Sequence, residues 1–346
     1  MNLNAILPLT SSILSFVLFL LLVDQWRERR RPYQLVWAIG MLWYGLSAGT
    51  EFLGGAFGWN ETLYRLWYLI GAIWVAGWLG LGTIVLLRRT RFGLALVPVF
   101  LLLSLISLGG AKTYPDTGVA SPIYALVGLV LAIGVGVLAF RRDPRWAWLV
   151  AAWVVGGSVL AAVLMATTTL AAPGWIVDPQ THIPVGTLFP GYLRLLTPLF
   201  NVTGAFALTF GALFSAYVFM PKRRVIRYDL AHGSAVRRAA NLLVAIVAFP
   251  VNLVVSLPGA VVALVRGRLN SRVPATILIA IGALIPAITS GLNRFGSTGG
   301  FFVGELLGVV FLLAGFLVSV EVVREIRVPF TRVVLRGRAA DATMDA

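Results

Sequence analysis

The chain has 346 residues, of which 59% are hydrophobic and 12% are charged, with a mean hydropathy of +0.91. Soluble domains carry roughly 25% charged residues, so this composition excludes an ordinary soluble protein and indicates helices that cross a membrane. The net charge is +15 and there is no cysteine, which excludes disulfides and thiolate chemistry. Because the basic residues flank apolar runs, we expect them to contact anionic lipids at the cytoplasmic face, and not nucleic acid.

Residues 1–220 predict a seven-helix transmembrane module. A helix needs about 20 apolar residues to cross the hydrocarbon. No basic residue precedes the first apolar run, and four arginines follow it at Arg27 and Arg29–Arg31. This order opposes cleavage as a signal peptide and predicts an external N-terminus. The seven predicted crossings lie near Ala5–Val23, Leu35–Phe57, Leu63–Leu87, Leu94–Gly109, Tyr124–Phe140, Ala147–Ala171 and Leu195–Phe219.

The C-terminal part predicts a smaller membrane module over residues 241–325, after a basic cytoplasmic linker at 221–240. Two crossings are expected near Ala275–Leu292 and Phe301–Val322, and residues 326–346 form a basic cytoplasmic tail. The apolar run Asn241–Val265 is long enough to cross, but a crossing would export eight arginines, which the positive-inside rule disfavours. Since Pro250 and Pro258 also interrupt it, we expect a re-entrant or broken helical hairpin that enters and leaves on the cytoplasmic side.

These elements predict an all-α, polytopic helical membrane protein. It has about nine transmembrane helices and one re-entrant or broken hairpin, with the N-terminus outside and the C-terminus cytoplasmic. This topology places 24 of the 28 basic residues in the cytoplasm. We expect a multi-pass protein of the cytoplasmic (inner) membrane of a bacterium.

Ionisable side chains within the predicted spans are the first candidates for a site, because charge is costly inside a bilayer. Five of them lie at one depth in the outer third of the membrane: Glu51, Arg65, Arg194, Arg294 and Glu305. One interpretation is an outward-facing polar pocket in which the arginines hold an anionic group. The alternative is local pairing of Glu51 with Arg65 and of Arg294 with Glu305, which serves only to set the helix register.

Three further residues are candidates for contact with a ligand. Trp74 and Trp78 lie on one helical face and are able to form the wall of a cavity, or else to pack in the core or against lipid. Asn201 is suited to bind a ligand or to hydrogen-bond across helices. The four-residue spacing of Gly300, Gly304 and Gly308 indicates close helix packing within the chain, with a homo-oligomer contact as the minority interpretation.

The residues that would support catalysis or a cofactor are scarce. The two histidines, His182 and His232, lie in loops, and both lysines lie outside the spans, so paired haem ligands and a retinal Schiff base are excluded. There is no nucleotide-binding glycine loop and no Ser-His-Asp set. We therefore predict no metal, no cofactor and no enzymatic activity.

The segment from Trp37 to Glu51, followed by Tyr64–Gly71, resembles the seven-helix membrane sensing region found at the N-terminus of some bacterial histidine kinases. In that family a helix that ends in an acidic residue precedes a Trp/Tyr-Leu-Gly helix. The resemblance covers about fifty residues by motif, and this chain has no kinase domain. It implies a ligand-sensing or complex-forming membrane module whose output passes through a protein partner.

Two functions from different classes therefore remain. The first is a non-enzymatic sensor-like or complex-associated seven-helix module. The second is a secondary transporter or lipid-handling membrane protein, for which a broken helix at mid-membrane is typical. Convergence of the outer polar residues on one cavity would favour ligand binding over simple pairing.

The predicted topology is testable with reporter fusions. Fusions after Phe57 and after Arg338 should report from opposite sides of the membrane, because the basic residues then stay in the cytoplasm. Reports from the same side would contradict the topology.

Overall fold

The computed structural model describes residues 3–171, 174, 176–179, 183–185, 188–230, 232–294, 300–319, 326–327 and 334–336. Over these residues the protein is a bundle of long helices with two hairpins of very short strands. Nine helices in the described part of the chain are long and apolar enough to cross a membrane. The prediction of an all-α polytopic membrane protein is confirmed.

The N-terminal part contains α1 to α9. The helix α3 continues through a π-helical turn at Ile70–Trp74 into α4, so that the three segments form one rod. A 3₁₀ turn at Pro115–Thr117 connects α5 to α6. The bounds are α1 Leu3–Arg29, α2 Pro32–Phe57, α3 Glu61–Leu69, α4 Val75–Leu87, α5 Gly93–Thr113, α6 Ala120–Phe140, α7 Trp146–Thr167, β1 Ile176–Val177, β2 Pro184–Val185, α8 Gly191–Arg194 and α9 Leu196–Phe219.

The C-terminal part contains three long helices, α10 Ala235–Val265, α11 Arg272–Arg294 and α12 Phe301–Val318. The strands β3 Ile326–Arg327 and β4 Val334–Arg336 pair antiparallel after them. The helix α11 packs on α9, and α12 packs on α1 and α11. The C-terminal helices are therefore part of the same bundle as the N-terminal ones.

The ends of the bundle differ in charge. One end, called here the basic end, carries the arginines after α1, between α4 and α5, between α6 and α7, and after α9. The other, called here the loop end, carries the connections after α2, after α5 and between α7 and α8. Each connection agrees with the alternation predicted for the first seven crossings.

Local sequence signals explain how the turn at the loop end between α2 and α3 forms. Gly58 follows α2 with φ of 92° and donates its N–H to the carbonyl of Gly54, a left-handed conformation that glycine adopts without strain. Two residues later, the side chain of Asn60 accepts a hydrogen bond from the backbone N–H of Leu63 at 2.9 Å and so caps α3.

Small residues let the helices approach closely. The α-carbon of Gly204 lies so close to α4 that an added β-carbon would come within 2.0 Å of the carbonyl oxygen of Ala76. The predicted glycine series acts the same way between α11 and α12, where Gly304 faces Thr289 and Gly308 faces Pro286. Gly304 and Gly308 therefore serve intramolecular packing as predicted, whereas a β-carbon at Gly300 would meet no neighbour within 4 Å.

The prediction of a broken hairpin at Asn241–Val265 is wrong, because α10 is one unbroken helix of 31 residues. Pro250 and Pro258 lie inside it, and both are exposed. At an exposed face the carbonyl groups that a proline leaves without a donor are open to water or lipid headgroups, and the proline ring displaces no neighbouring helix. This is why the prolines do not end the helix.

The helix α10 starts and ends at the basic end. Near its start, the guanidinium of Arg238 lies 4.9 Å from the ring of Phe140, the last residue of α6. Just after its end, the guanidinium of Arg272 lies 4.6 Å from the ring of Phe219, the last residue of α9. A helix of this length is about 46 Å long, so a crossing would place these two contacts on opposite faces of the bundle. We conclude that α10 lies across the basic end.

Polar groups hold α10 in this position. The side chain of Asn252, which is fully buried, accepts from the backbone N–H groups of Val225 and Ile226 and donates to the carbonyl of Ile226. Ser256 accepts from the N–H of Arg223 at 2.9 Å. The opposite face of α10 is exposed and apolar at Val236, Leu243, Val247, Val254, Val261 and Val265. The helix is therefore amphipathic, as expected of one that lies at a membrane surface.

This placement predicts the reactivity of single cysteines, for which the cysteine-free chain is a clean background. Cysteines at His232 and at Arg268, on the two sides of α10, should react with an impermeant reagent from the same side of the membrane. A cysteine at Val254 should be protected in the membrane and reactive after solubilisation in denaturant. Labelling of Arg268→Cys and His232→Cys from opposite sides would show that α10 crosses and would overturn the in-plane placement.

Candidate functional site

A cavity of about 460 Å³ lies inside the bundle, between the N-terminal helices and the α11–α12 pair. Four of the eight residues predicted from the sequence line it, although they are far apart in the chain: Glu51, Arg194, Asn201 and Glu305. The rest of the lining comes from α2, α3, the π-helical turn, α4, α9, α11 and α12. Its polar or aromatic members include Tyr44, Ser47, Tyr64, Trp67, Tyr68, Tyr114, Thr197 and Ser290.

Two carboxyl groups meet in this cavity. Glu51 comes from α2 and is 2% exposed, and its carboxyl lies beside that of Glu305 from α12. Trp67 donates its Nε1–H to Oε1 of Glu51 at 2.8 Å. In the same contact, the hydroxyl of Tyr44 donates to the backbone carbonyl of Glu305 at 2.8 Å. Two helices separated by about 250 residues are thus joined at a pair of acids.

The π-helical turn at Ile70–Trp74 forms part of the cavity wall. Asn201 on α9 donates its side-chain N–H to the carbonyl oxygen of Ala72 in this turn, at 3.2 Å. Next to it, the α-carbon of Gly71 packs so tightly on Ser47 that a β-carbon there would lie 2.5 Å from the serine hydroxyl. Single π-helical turns occur frequently at functional sites. Here the turn brings backbone polar groups to the cavity.

Arg194 lies at the loop end of the cavity and is positioned by the α5–α6 connection. Its guanidinium lies 4.6 Å from the ring of Tyr114, a cation–π contact. Asp116 accepts a hydrogen bond from the backbone N–H of Gly191 at 2.7 Å, which holds the start of α8 beside this connection. A second cavity of about 470 Å³ lies further toward the loop end, and Tyr114 and Arg194 line both cavities. The Arg194–Tyr114 pair therefore separates the two spaces.

The predicted pairing of Glu51 with Arg65 is wrong, and Arg65 does not line the cavity. Arg65 forms a salt bridge of 2.6 Å with Glu61, one turn earlier in α3. Its guanidinium also donates to the carbonyl oxygens of Met165 and Thr168 at the end of α7. The pairing was wrongly predicted because Arg65 has an acid nearer than Glu51. Glu61 lies one turn earlier in the same helix, a spacing at which two side chains are neighbours.

The two tryptophans proposed as a cavity wall do not line the cavity either. The indole N–H groups of Trp74 and Trp78 donate to the backbone carbonyl and the hydroxyl of Ser158 on α7, at 3.3 and 3.1 Å. Trp74 also packs on Trp43, with ring centroids 4.5 Å apart. These two residues therefore hold α4 against α7. The side chain of Arg294 lies outside the described residues, so its predicted pairing with Glu305 stays a prediction.

The contact between the two acids and the hydrogen bonds of Tyr44 and Trp67 are not predictable from the local sequence around these residues. One signal was present, because Glu51 and Glu305 are acidic residues within predicted spans and were both predicted to lie in the outer third of the membrane. Two lone acids inside a bilayer need partners. The predicted pairs join each acid to the nearest arginine, whereas in the structure the two acids meet each other.

A comparison with protein families gives one short match. Residues 98–142 match the model of the LPXTG cell wall anchor motif. Within this range, Tyr114–Gly118 reads YPDTG and is followed by the apolar helix α6 and the pair Arg141 and Arg142. This match covers much less than half of the chain, and α5 and α6 pack together as crossings of the bundle. A search of the curated proteins and a search of the solved structures each found no match.

The geometry of the acid pair predicts which residues couple energetically. In a double-mutant cycle on Glu51→Gln and Arg65→Ala, the free energies of unfolding should add within about 0.5 kcal/mol, since the two residues share no partner. A cycle on Glu51→Gln and Glu305→Gln should give a coupling energy of about 0.5–3 kcal/mol, because these carboxyl groups touch. Reversible unfolding in mixed micelles measures both cycles. The reverse pattern would show that Glu51 pairs with Arg65 after all.

Proposed function

We propose that the protein is a non-enzymatic, ligand-binding membrane protein of sensor-like type, whose ligand site is the cavity between α2, α9, α11 and α12. The observation that supports the proposal is the convergence of Glu51, Arg194, Asn201 and Glu305 on one cavity. Polar groups that serve only to set the helix register pair across short loops. These come instead from four different helices and face a space large enough for a small molecule.

The helices that form the site also provide a route for output. The helix α9 carries Asn201 at the cavity and Tyr217 near the basic end, where the ring of Tyr217 packs edge-on against Phe249 of α10, with centroids 5.8 Å apart. A ligand that shifts α9 would therefore shift α10 and the basic segment that α10 holds through Asn252. We propose that a protein partner reads this change at the basic end.

The proposal includes an orientation and a lipid contact. The basic end faces the cytoplasm of a bacterium, in accord with the positive-inside rule. The exposed apolar face of α10 enters the inner leaflet of the membrane, and the arginines on both sides of this helix bind anionic headgroups.

A second function, that of a secondary transporter, is supported by the π-helical turn at Ile70–Trp74. Transporters bind their substrates near the bilayer midplane at interruptions of helices, where backbone groups become available. In this protein the carbonyl of Ala72 lies within the π-helical turn and is available to accept a hydrogen bond from the side chain of Asn201. The two functions share the same ligand site and differ in whether the ligand leaves on the other side.

The binding function is tested by a filled cavity. Ala205 lines the cavity on α9, and Ala205→Phe should occupy much of the space. A screen of small metabolites by thermal unfolding of the purified protein should give ligands that stabilise the wild type and not this variant. Ala152→Phe is the matched control, because Ala152 is exposed on α7 and should leave stabilisation unchanged. Equal stabilisation of Ala205→Phe, or no stabilising ligand for the wild type, would contradict the proposal.

The same ligand separates sensor from transporter. In proteoliposomes, a sensor binds the ligand without accumulating it inside the vesicles. Uptake that Ala205→Phe abolishes would establish the transporter and replace the sensor proposal.

A further inference from the structure

The acid pair contains two hydrogen-bond acceptors without a donor. Oε2 of Glu51 and Oε2 of Glu305 are both buried, and neither accepts a hydrogen bond from another described residue. Oε1 of Glu51 has its donor in Trp67. A buried carboxylate oxygen without a donor is costly, so the pair needs a donor that the described side chains do not supply.

A proton meets this need when the cavity holds no ligand. Two carboxylates that touch in a site of low dielectric constant do not both stay ionised, because their repulsion and desolvation favour one shared proton. The protonated carboxyl then donates to its neighbour. The pair thus carries a single negative charge inside the membrane.

We propose that the cavity binds a compact organic cation whose N–H groups replace the proton shared by Glu51 and Glu305. This inference rests on the proposed ligand-binding function and names its ligand class. For each cation that binds, one proton leaves the cavity. Both carboxyl groups are then ionised, and the ligand provides the hydrogen-bond donors that they lack. Because a positive charge replaces another positive charge, the net charge buried in the cavity stays the same, and the exchange avoids the cost of adding charge to the membrane interior.

The walls next to the pair suit a cation. The rings of Tyr64, Trp67 and Tyr68 line the cavity on the α3 side and pack on each other, with centroids 6.0 to 6.3 Å apart. The faces of aromatic rings attract an ammonium or guanidinium group. A carboxylate or phosphate would instead meet two acids at this position, and the three aromatic side chains of this wall offer it no positive group.

Among the described residues, the other titratable groups that line the cavity are the phenols Tyr44, Tyr64, Tyr68 and Tyr114 and the guanidinium of Arg194. Arg194 is held over Tyr114 at the loop end of the cavity. Glu51 and Glu305 are the carboxyl groups of this described lining, so we assign the exchanged proton to this pair.

The experiment uses the full-length protein in lipid nanodiscs and three probes of one shape: 2-phenylethylammonium, the neutral 2-phenylethanol and the anion 3-phenylpropanoate. Titration calorimetry should show binding of the cation and at least tenfold weaker binding of the other two. The affinity should rise with pH, by about tenfold per pH unit where one full proton is released. Calorimetric titrations repeated in buffers with different ionisation heats should also show that one proton is released for each cation bound.

Three variants test the assignment. Glu305→Gln and Glu51→Gln should each weaken binding of the cation at least tenfold, since the cation then meets one carboxylate instead of two. Glu61→Gln is the matched control, because Glu61 pairs with Arg65 outside the cavity, and it should bind like the wild type. Thermal unfolding of each variant establishes that it is folded.

The outcomes separate this inference from the proposed function. Equal binding of the neutral or anionic probe, or cation binding without proton release, overturns the cation-for-proton exchange and leaves a ligand cavity in place. If the metabolite screen gives ligands but 2-phenylethylammonium does not bind, the inferred ligand class is wrong and the ligand-binding function stands. Failure of every ligand in that screen removes the binding function itself.

Discussion

A carboxyl group inside a membrane must find a hydrogen-bond donor, and this constraint organises the interior of the protein. Glu51 on α2 takes one donor from Trp67 and contacts the carboxyl of Glu305 on α12. This contact is made by long side chains that reach between α2 and α12, and the hydroxyl of Tyr44 bonds to the backbone of α12 at the same point. The cavity lies there because two acids and their partners do not fill the space that close apolar packing would.

The same constraint explains why the cavity has polar walls without long loops. Asn201 bonds to the carbonyl of Ala72, which the π-helical turn makes available, and Thr197 bonds to the hydroxyl of Tyr68 at 3.3 Å. Each of these groups has a protein partner while it faces the cavity. Such an arrangement keeps polar groups in the membrane at low cost and leaves them positioned for a ligand. Arg194, supported by Tyr114, separates this inner space from a second cavity at the loop end.

At the basic end, the contacts of α10 keep this helix and the arginines on both sides of it at one end of the bundle. A largely apolar helix of 31 residues would ordinarily be placed across the membrane by its length. Its buried Asn252 and Ser256 instead bind the backbone of the segment after α9, and its exposed valines form one stripe. The arginines before and after it thus stay together at one end. The short likeness of residues 98–142 to a cell wall anchor motif follows from the same pattern, an apolar helix that ends in basic residues.

The sequence alone determined the class, the crossings and the sidedness of the charges, since these depend on the lengths of apolar runs and on the positions of arginines. It also indicated Glu51, Arg194, Asn201 and Glu305 as site residues, because ionisable and amide groups in a bilayer are rare and costly. It did not predict their partners. The contact of Glu51 with Glu305 links residues about 250 positions apart, and Arg65 had an equally suitable acid one turn away in Glu61. Likewise, Pro250 and Pro258 indicated a break that the structure does not contain, because a proline on an exposed face disturbs no neighbour. Tertiary packing decided which helices are neighbours and whether an apolar helix crosses the membrane or lies on it. Both depend on contacts between segments that are distant in the sequence, and nothing in the sequence of one segment indicates its partner.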